Sequence, residues 1–354
     1  MDSRAKKILN SLSPNKIIIP IVLGLGVIIF LLLRNDNIDL NEIANNISHA
    51  KIEWVLLAIV VLLIRDFGYM YRIRHLTDAQ LNWIASFFVI VLWEFASAIT
   101  PSVVGGTTVV VFIINKEGIS FGKSLAYVML TAVLDNLFFV IASVTIFVFT
   151  PVEIFPELSD SAAITTQFPI KTAFFISVSL IGLYTLLMVV GLFINPRAFK
   201  YFLIKITSNR LFRRIRNAAA QTGSDVIIAS KVLRKKTWDY WVKAAISTVF
   251  IWIARYFMLN CLIAAFVHVE FSDHFLILAR QVIMWVVMLV SPTPGSTGTA
   301  EYAFELFFGE FFSVMGLTVV IALFWRLLTY YAYLILGVAF LPRWVRRVFY
   351  KGKI

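Results

Sequence analysis

Residues 291–301 read SPTPGSTGTAE: two prolines, two glycines and a glutamate set between apolar runs. Residues 282–290 have the composition of a membrane helix, and the chain turns apolar again after Glu301. In lipid an unpaired backbone N–H or C=O costs several kcal/mol, so non-helical chain survives there only when protein buries it or a wet cavity solvates it. The stretch therefore predicts a helical hairpin, 275–312, that enters the bilayer and turns back, with Pro292, Pro294, Gly295 and Gly298 at its bend. A second interruption, ITPSVVGGTT at 99–108, cuts the apolar stretch 83–114 near its middle. It predicts a matching hairpin around Thr100, Pro101, Gly105 and Gly106.

Of 354 residues, 60% are hydrophobic and 32 are phenylalanine. Several runs reach the ~20 residues a helix needs to cross a bilayer core, so the chain reads as an all-α polytopic membrane protein. Full spans are expected at 17–33, 52–71, 124–150, 170–194, 238–267 and 313–341, about six beside the two re-entrant hairpins. Residues 1–354 read as one integral membrane domain. The sole cysteine, Cys261, excludes an intrachain disulfide framework. The four histidines form no HExxH or Cys/His set; His268, His274, Glu270 and Asp273 share a short polar loop, and no metal or cofactor is expected. The basic N-terminus leads into 17–33 and then RNDN with no small-residue cleavage site, the pattern of an uncleaved anchor. Trp54, Trp83, Trp238 and Trp344 lie near span ends and read as interfacial anchors.

Charge tests the threading. With the N-terminus in the cytoplasm and both hairpins returning to their side of origin, 25 of the 32 Lys/Arg fall in cytoplasmic segments. Arg34, Lys51 and Lys171 fall outside, and Arg65, Arg255, Arg280 and Arg326 within spans. The external loops are acidic, as the positive-inside rule predicts for a bacterial-type cytoplasmic membrane protein with both termini inside. The formal charge of +12 thus follows from topology and calls for no nucleic acid. Residues 197–243 hold twelve Lys/Arg against Asp225 and Asp239, with apolar residues at helical spacing. They read as an amphipathic helix on the anionic leaflet, with a solvated basic loop as the alternative.

The parts 52–150 and 238–341 carry the same elements in the same order but in opposite directions, with 170–236 as the connector that inverts the second. Paired, interrupted apolar segments in two inverted repeats point to a transport site near the midplane. Half-helix N-termini there suit an anionic group such as a phosphate. Asp66, Glu94, Asp135, Glu301, Glu305 and Glu310 are set against Arg65, Arg255, Arg280 and Arg326 within the spans. Such groups are costly in lipid and normally line a cavity or pair together. Asp135 and Arg326 each sit near the middle of the helix after a hairpin and form the expected pair. Glu94, Arg255 and Arg280 are further candidate cavity charges, while Glu305 and Glu310 are placed near the external surface. Glu301 suits either a cationic ligand or the capping of its own helix. Arg65 and Asp66, being adjacent, are expected to face different ways.

LTAVLDNLFF after TPSVVGG and NKEGIS, and SPTPGSTGTAE before LFWRLLTYYAYLILG, resemble the transmembrane flippase-like family of lysylphosphatidylglycerol synthases, which includes the membrane half of the multiple peptide resistance factor. The resemblance runs through roughly residues 17–341. It implies inverted repeats with re-entrant hairpins and movement of a phospholipid or aminoacylated phospholipid between leaflets. It would also place Pro101, Gly105, Gly106, Pro292, Pro294, Gly295, Gly298, Glu301 and Arg326 at a headgroup cavity. The chain departs from many relatives in lacking a charged residue over 107–112, which leaves headgroup preference open. The basic tail leaves no room for a soluble aminoacyl-transferase domain, so no enzymatic activity is expected. The expected function is that of a lipid flippase-like transporter acting on anionic or aminoacylated membrane phospholipids. A secondary transporter of a small anionic solute stays open as the alternative. So do a homo-oligomer and a separate lipid-modifying enzyme as partners.

Overall fold

A computed structural model describes residues 18–33, 38–100, 103–149, 154–156, 160–208, 216–288, 293–314 and 316–349. Among these the fold is all-α, with no strand. A short apolar helix α1 (Ile18–Leu33) is followed by α2 (Leu40–Ser48) and α3 (Ile52–Leu76), the last two bent by 75° at their junction. Asp39 starts α2 by accepting from the Asn41 amide at 2.8 Å, satisfying a donor that the first helical turn leaves free. Next come α4 (Trp83–Ile99), α5 (Val103–Lys116), α6 (Phe121–Phe149) and α7 (Asp160–Val189). A π-helical turn, Val190–Ile194, ends α7 and leads to α8 (Pro196–Thr207) and α9 (Arg216–Leu233). The second part holds α10 (Trp238–Ala264), α11 (Phe271–Met288), a 3-10 turn at Pro294–Ser296, α12 (Thr299–Phe308), α13 (Leu317–Arg326) and α14 (Ala332–Phe349). A π turn, Leu327–Tyr331, joins the last two.

Among the described residues four stretches are long and apolar enough to cross a membrane: Phe121–Phe149, Lys171–Ile194, Trp238–Ala264 and Leu317–Phe349. The bent pair α2–α3 makes a fifth if it counts as one span. Of the expected first span, the described residues 18–33 are helical throughout. The expected span at 52–71 runs on to Leu76, which brings Arg72 and Arg74 into the helix. Helices α4 and α5 do form on either side of the break at 99–108, and α11 and α12 on either side of that at 290–299.

Helix α3 packs along α10 in the most extensive pair of the fold, and α4 lies against both α5 and α14. Two large apolar clusters result, beside two smaller ones. One joins α4, α5, α6, α9 and α14 around Phe95, Ile113, Tyr127 and Trp344; the other joins α10 to α13 around Met258, Phe304 and Ile321. Within the basic segment the described residues form two helices, α8 and α9. Val226, Ala229 and Leu233 of α9 are buried, and α9 packs on α8 and α6, so its apolar stripe is spent on protein contacts. Trp344 is fully buried and donates to Glu117 Oε1 at 2.7 Å, whereas Trp238 stays exposed. The anchor reading therefore fails for Trp344, because α14 turns that residue inward against α5.

Gly337 lets α14 approach α4. A Cβ there would run into the ring of Phe95, which is fully buried and has no room to yield. Overpacking of this kind costs about 1–3 kcal/mol. Gly337→Ala is expected to lower the thermal unfolding midpoint, and an unchanged midpoint would show that the two helices separate freely.

Candidate functional site

The two interrupted segments border one cavity of about 560 Å³. Ligand pockets typically measure about 300–1,000 Å³, so this one has the size to hold a headgroup. From the first break it is lined by Ser97, Ala98, Thr100 and Thr107; from the second, by Thr293, Gly295 and Ser296. Thr100 ends α4 with its hydroxyl on the Ala96 carbonyl at 2.7 Å. Gly106 permits the close approach of α5 to α4, since a Cβ there would lie 2.6 Å from Ser97 Oγ. Gly105 falls in the first turn of α5. Pro101 and Pro292 lie outside the described residues.

At the second break Gly295 takes φ +57° and Gly298 φ +86°, the left-handed region in which only glycine is unstrained. The chain there is wrapped around Arg326. Its Nε donates to Glu301 Oε1 at 3.0 Å, and its second terminal nitrogen to the Gly295 carbonyl at 3.1 Å and Thr297 Oγ1 at 3.3 Å. The Tyr330 ring lies 3.9 Å from the guanidinium carbon. Glu301, fully buried, also accepts from the Gly298 amide at 2.7 Å. It thus neutralises the positive end of α12 from within, leaving that terminus no free charge to offer a ligand. Tyr330 then donates to the Ala98 carbonyl at 2.9 Å, tying the second break to the first.

Asp135 and Arg326 are not partners. The described structure pairs Asp135 with Arg72, through bonds of 2.5 and 3.2 Å to the two terminal nitrogens, and Trp252 Nε1 adds a third at 2.9 Å. Arg72 also donates to Thr248 Oγ1 at 3.1 Å. The sequence reading missed Arg72 because it ended the span one residue too soon. The signal was present: Arg65, Tyr69, Arg72 and Leu76 recur at helical spacing and are all buried. Nor do Arg65 and Asp66 face apart. Arg65 donates to Asp66 Oδ1 at 2.7 Å, and Tyr333 donates to Asp66 Oδ2 at 2.5 Å. Flexible side chains reach across the helix surface to meet.

Glu94 and Arg255 both line the cavity, 4.0 Å apart. The Arg255 guanidinium stands 4.6 Å from the Trp285 ring and 5.2 Å from that of Trp252. Arg280 does not join them. It bonds the Phe307 carbonyl at 3.1 Å and Glu310 at 2.6 Å, and it is not among the cavity residues. Gly298 and Glu301 likewise stand behind the wall rather than on it. Around the cavity, then, three arginines are balanced by three carboxylates: Arg72 by Asp135, Arg326 by Glu301, Arg255 by Glu94. Among the described residues no group of three or more His, Cys, Asp or Glu side chains is placed to hold a metal ion.

A second, apolar cavity of about 360 Å³ adjoins the first, and Thr107, Ala132 and Tyr184 line both. Its other walls include Val111, Leu125, Met129, Met188 and Phe202.

A family model described as the lysylphosphatidylglycerol synthase TM region matches residues 17–337. A "UPF0104 membrane protein" of Archaeoglobus fulgidus is 27% identical over 311 residues, covering 81% of this chain and 86% of that protein. No solved structure matches the chain.

Proposed function

This chain belongs to the lysylphosphatidylglycerol synthase transmembrane-region family, and on that premise we propose that it moves phospholipids between the leaflets of a cytoplasmic membrane. It is a multi-pass membrane protein. In the proposed threading both termini are cytoplasmic, and the two broken segments form re-entrant hairpins of an inverted repeat. The observation that carries the lipid reading is the contact between a polar cavity and an apolar one across Thr107, Ala132 and Tyr184. A headgroup needs the first and an acyl chain the second; a small anionic solute would need only the first. The headgroup rests among the three ion pairs while its chains stay in the apolar cavity and the surrounding lipid. Rocking of the two halves about this point releases the lipid on the other side. The chain acts by binding and movement, with no chemical step, and any lipid-modifying enzyme is a separate protein.

In liposomes with labelled phospholipid, the reconstituted chain is expected to accelerate transbilayer movement above that of protein-free vesicles. Ala132→Trp, which fills the junction between the cavities, is expected to slow that movement by roughly tenfold or more at an unchanged melting midpoint. Movement no faster than in empty vesicles, across several headgroups, overturns the proposal. Solute uptake under the same conditions would favour the small-anion transporter in its place.

A further inference from the structure

The three ion pairs around the cavity are not equivalent. Arg326 spends Nε on Glu301 and one terminal nitrogen on Gly295 and Thr297. Arg72 spends both terminal nitrogens on Asp135 and one again on Thr248. Arg255 makes a single hydrogen bond, to Tyr69 Oη at 3.2 Å, and otherwise faces Glu94 across 4.0 Å, too far for a hydrogen bond. Glu94 accepts no hydrogen bond from any described side chain or amide. Their side chains are 18% and 22% exposed, against 7% and 0% for Arg326 and Glu301. Of the three pairs, Arg255 and Glu94 thus hold each other least, and among the described residues Tyr256 Oη and Trp285 Nε1, which line the same cavity, are without a hydrogen-bond partner as well.

We propose that the Arg255–Glu94 pair recognises a zwitterionic headgroup, with the phosphate taken by Arg255 and the ammonium by Glu94. This rests on the lipid reading above and narrows it, from phospholipids at large to those whose headgroup carries one charge of each sign. The reason is charge balance in a medium of low dielectric. An anion bound to Arg255 alone would leave Glu94 without a counter-charge, and a cation bound to Glu94 alone would strand Arg255. A headgroup of net zero charge satisfies both and leaves the other two pairs untouched. The rings of Trp252 and Trp285 stand 5.2 and 4.6 Å from the guanidinium carbon, a cation–π setting, and the planar fork of arginine suits phosphate oxygens.

The test is calorimetric titration of the full chain in detergent with three probes: dihexanoyl-phosphatidylethanolamine, dihexanoyl-phosphatidylglycerol and free phosphoethanolamine. The ethanolamine lipid is expected to bind about tenfold more tightly than the glycerol lipid. Glu94→Gln should erase that preference by weakening the ethanolamine lipid alone, and Arg255→Gln should weaken both lipids. The doubly neutral variant E94Q/R255Q, in which no charge is stranded, serves as the folding control by its melting midpoint. Equal or tighter binding of the glycerol lipid, or a preference that survives Glu94→Gln, overturns the proposal. If neither lipid binds a chain that still melts cooperatively, the lipid reading itself fails. If phosphoethanolamine binds as tightly as its lipid, the pair keeps its role but the ligand is a soluble zwitterion, and the lipid reading fails there too.

Discussion

Glu301→Gln is expected to destabilise the fold by about 3–5 kcal/mol, the usual result of removing one partner from a buried ion pair. Glu301 is fully buried, and Arg326 is 5% exposed. With the carboxylate gone, the guanidinium meets the Gly295 carbonyl, the Thr297 hydroxyl and a neutral amide oxygen, none of which carries a counter-charge. The Gly298 amide loses its charged acceptor at the same stroke and keeps at most a neutral amide oxygen as the cap of α12. Denaturant or thermal unfolding in detergent measures the effect. The double variant E301Q/R326Q should recover a good part of it, because the uncompensated charge is removed along with its partner. A double variant as unstable as the sum of the singles would show that the two side chains act separately.

Arg72→Gln is expected to cost a similar amount, about 3–5 kcal/mol. Asp135 would then hold its charge with Trp252 Nε1 as its remaining donor. Arg72→Lys separates charge from shape: lysine restores the counter-charge but cannot bridge both carboxylate oxygens as Arg72 does at 2.5 and 3.2 Å. Its midpoint should therefore fall between those of the wild type and the glutamine variant. Because Arg72 and Asp135 both line the cavity, lipid movement in vesicles should fall in the same order. A lysine variant as unstable as the glutamine one would assign the role to geometry alone.

The features that sequence made legible are those set by composition and by backbone chemistry. Runs of apolar residues announced the helices, and clusters of Pro and Gly announced both breaks, whereas single ones such as Pro342 and Gly337 sit inside helices. That Thr100 and Gly295 border one cavity was within reach of the same argument. Which charge meets which was not. A sequence places Asp135 and Arg326 at similar heights on their helices, yet says nothing of how far each helix is rotated about its axis. Those rotations give Arg326 to Glu301 and Asp135 to Arg72. Arg72 itself was lost to a boundary, since a cationic residue at the end of an apolar run looks like loop. Trp344 was misread for the related reason that nearness to a span end does not say which side of the helix a ring occupies.

The π turn at Leu327–Tyr331 has a consequence of its own. A surplus residue in a helical rod is a change of clocking: the lengths ahead of it and behind it are set at different angles about a shared axis. Ahead of it, Arg326 is turned toward Glu301; behind it, Tyr333 is turned toward Asp66. A uniformly wound rod of the same residues would serve one of these neighbours and turn its back on the other. By this offset a single continuous span answers to both parts of the molecule at once.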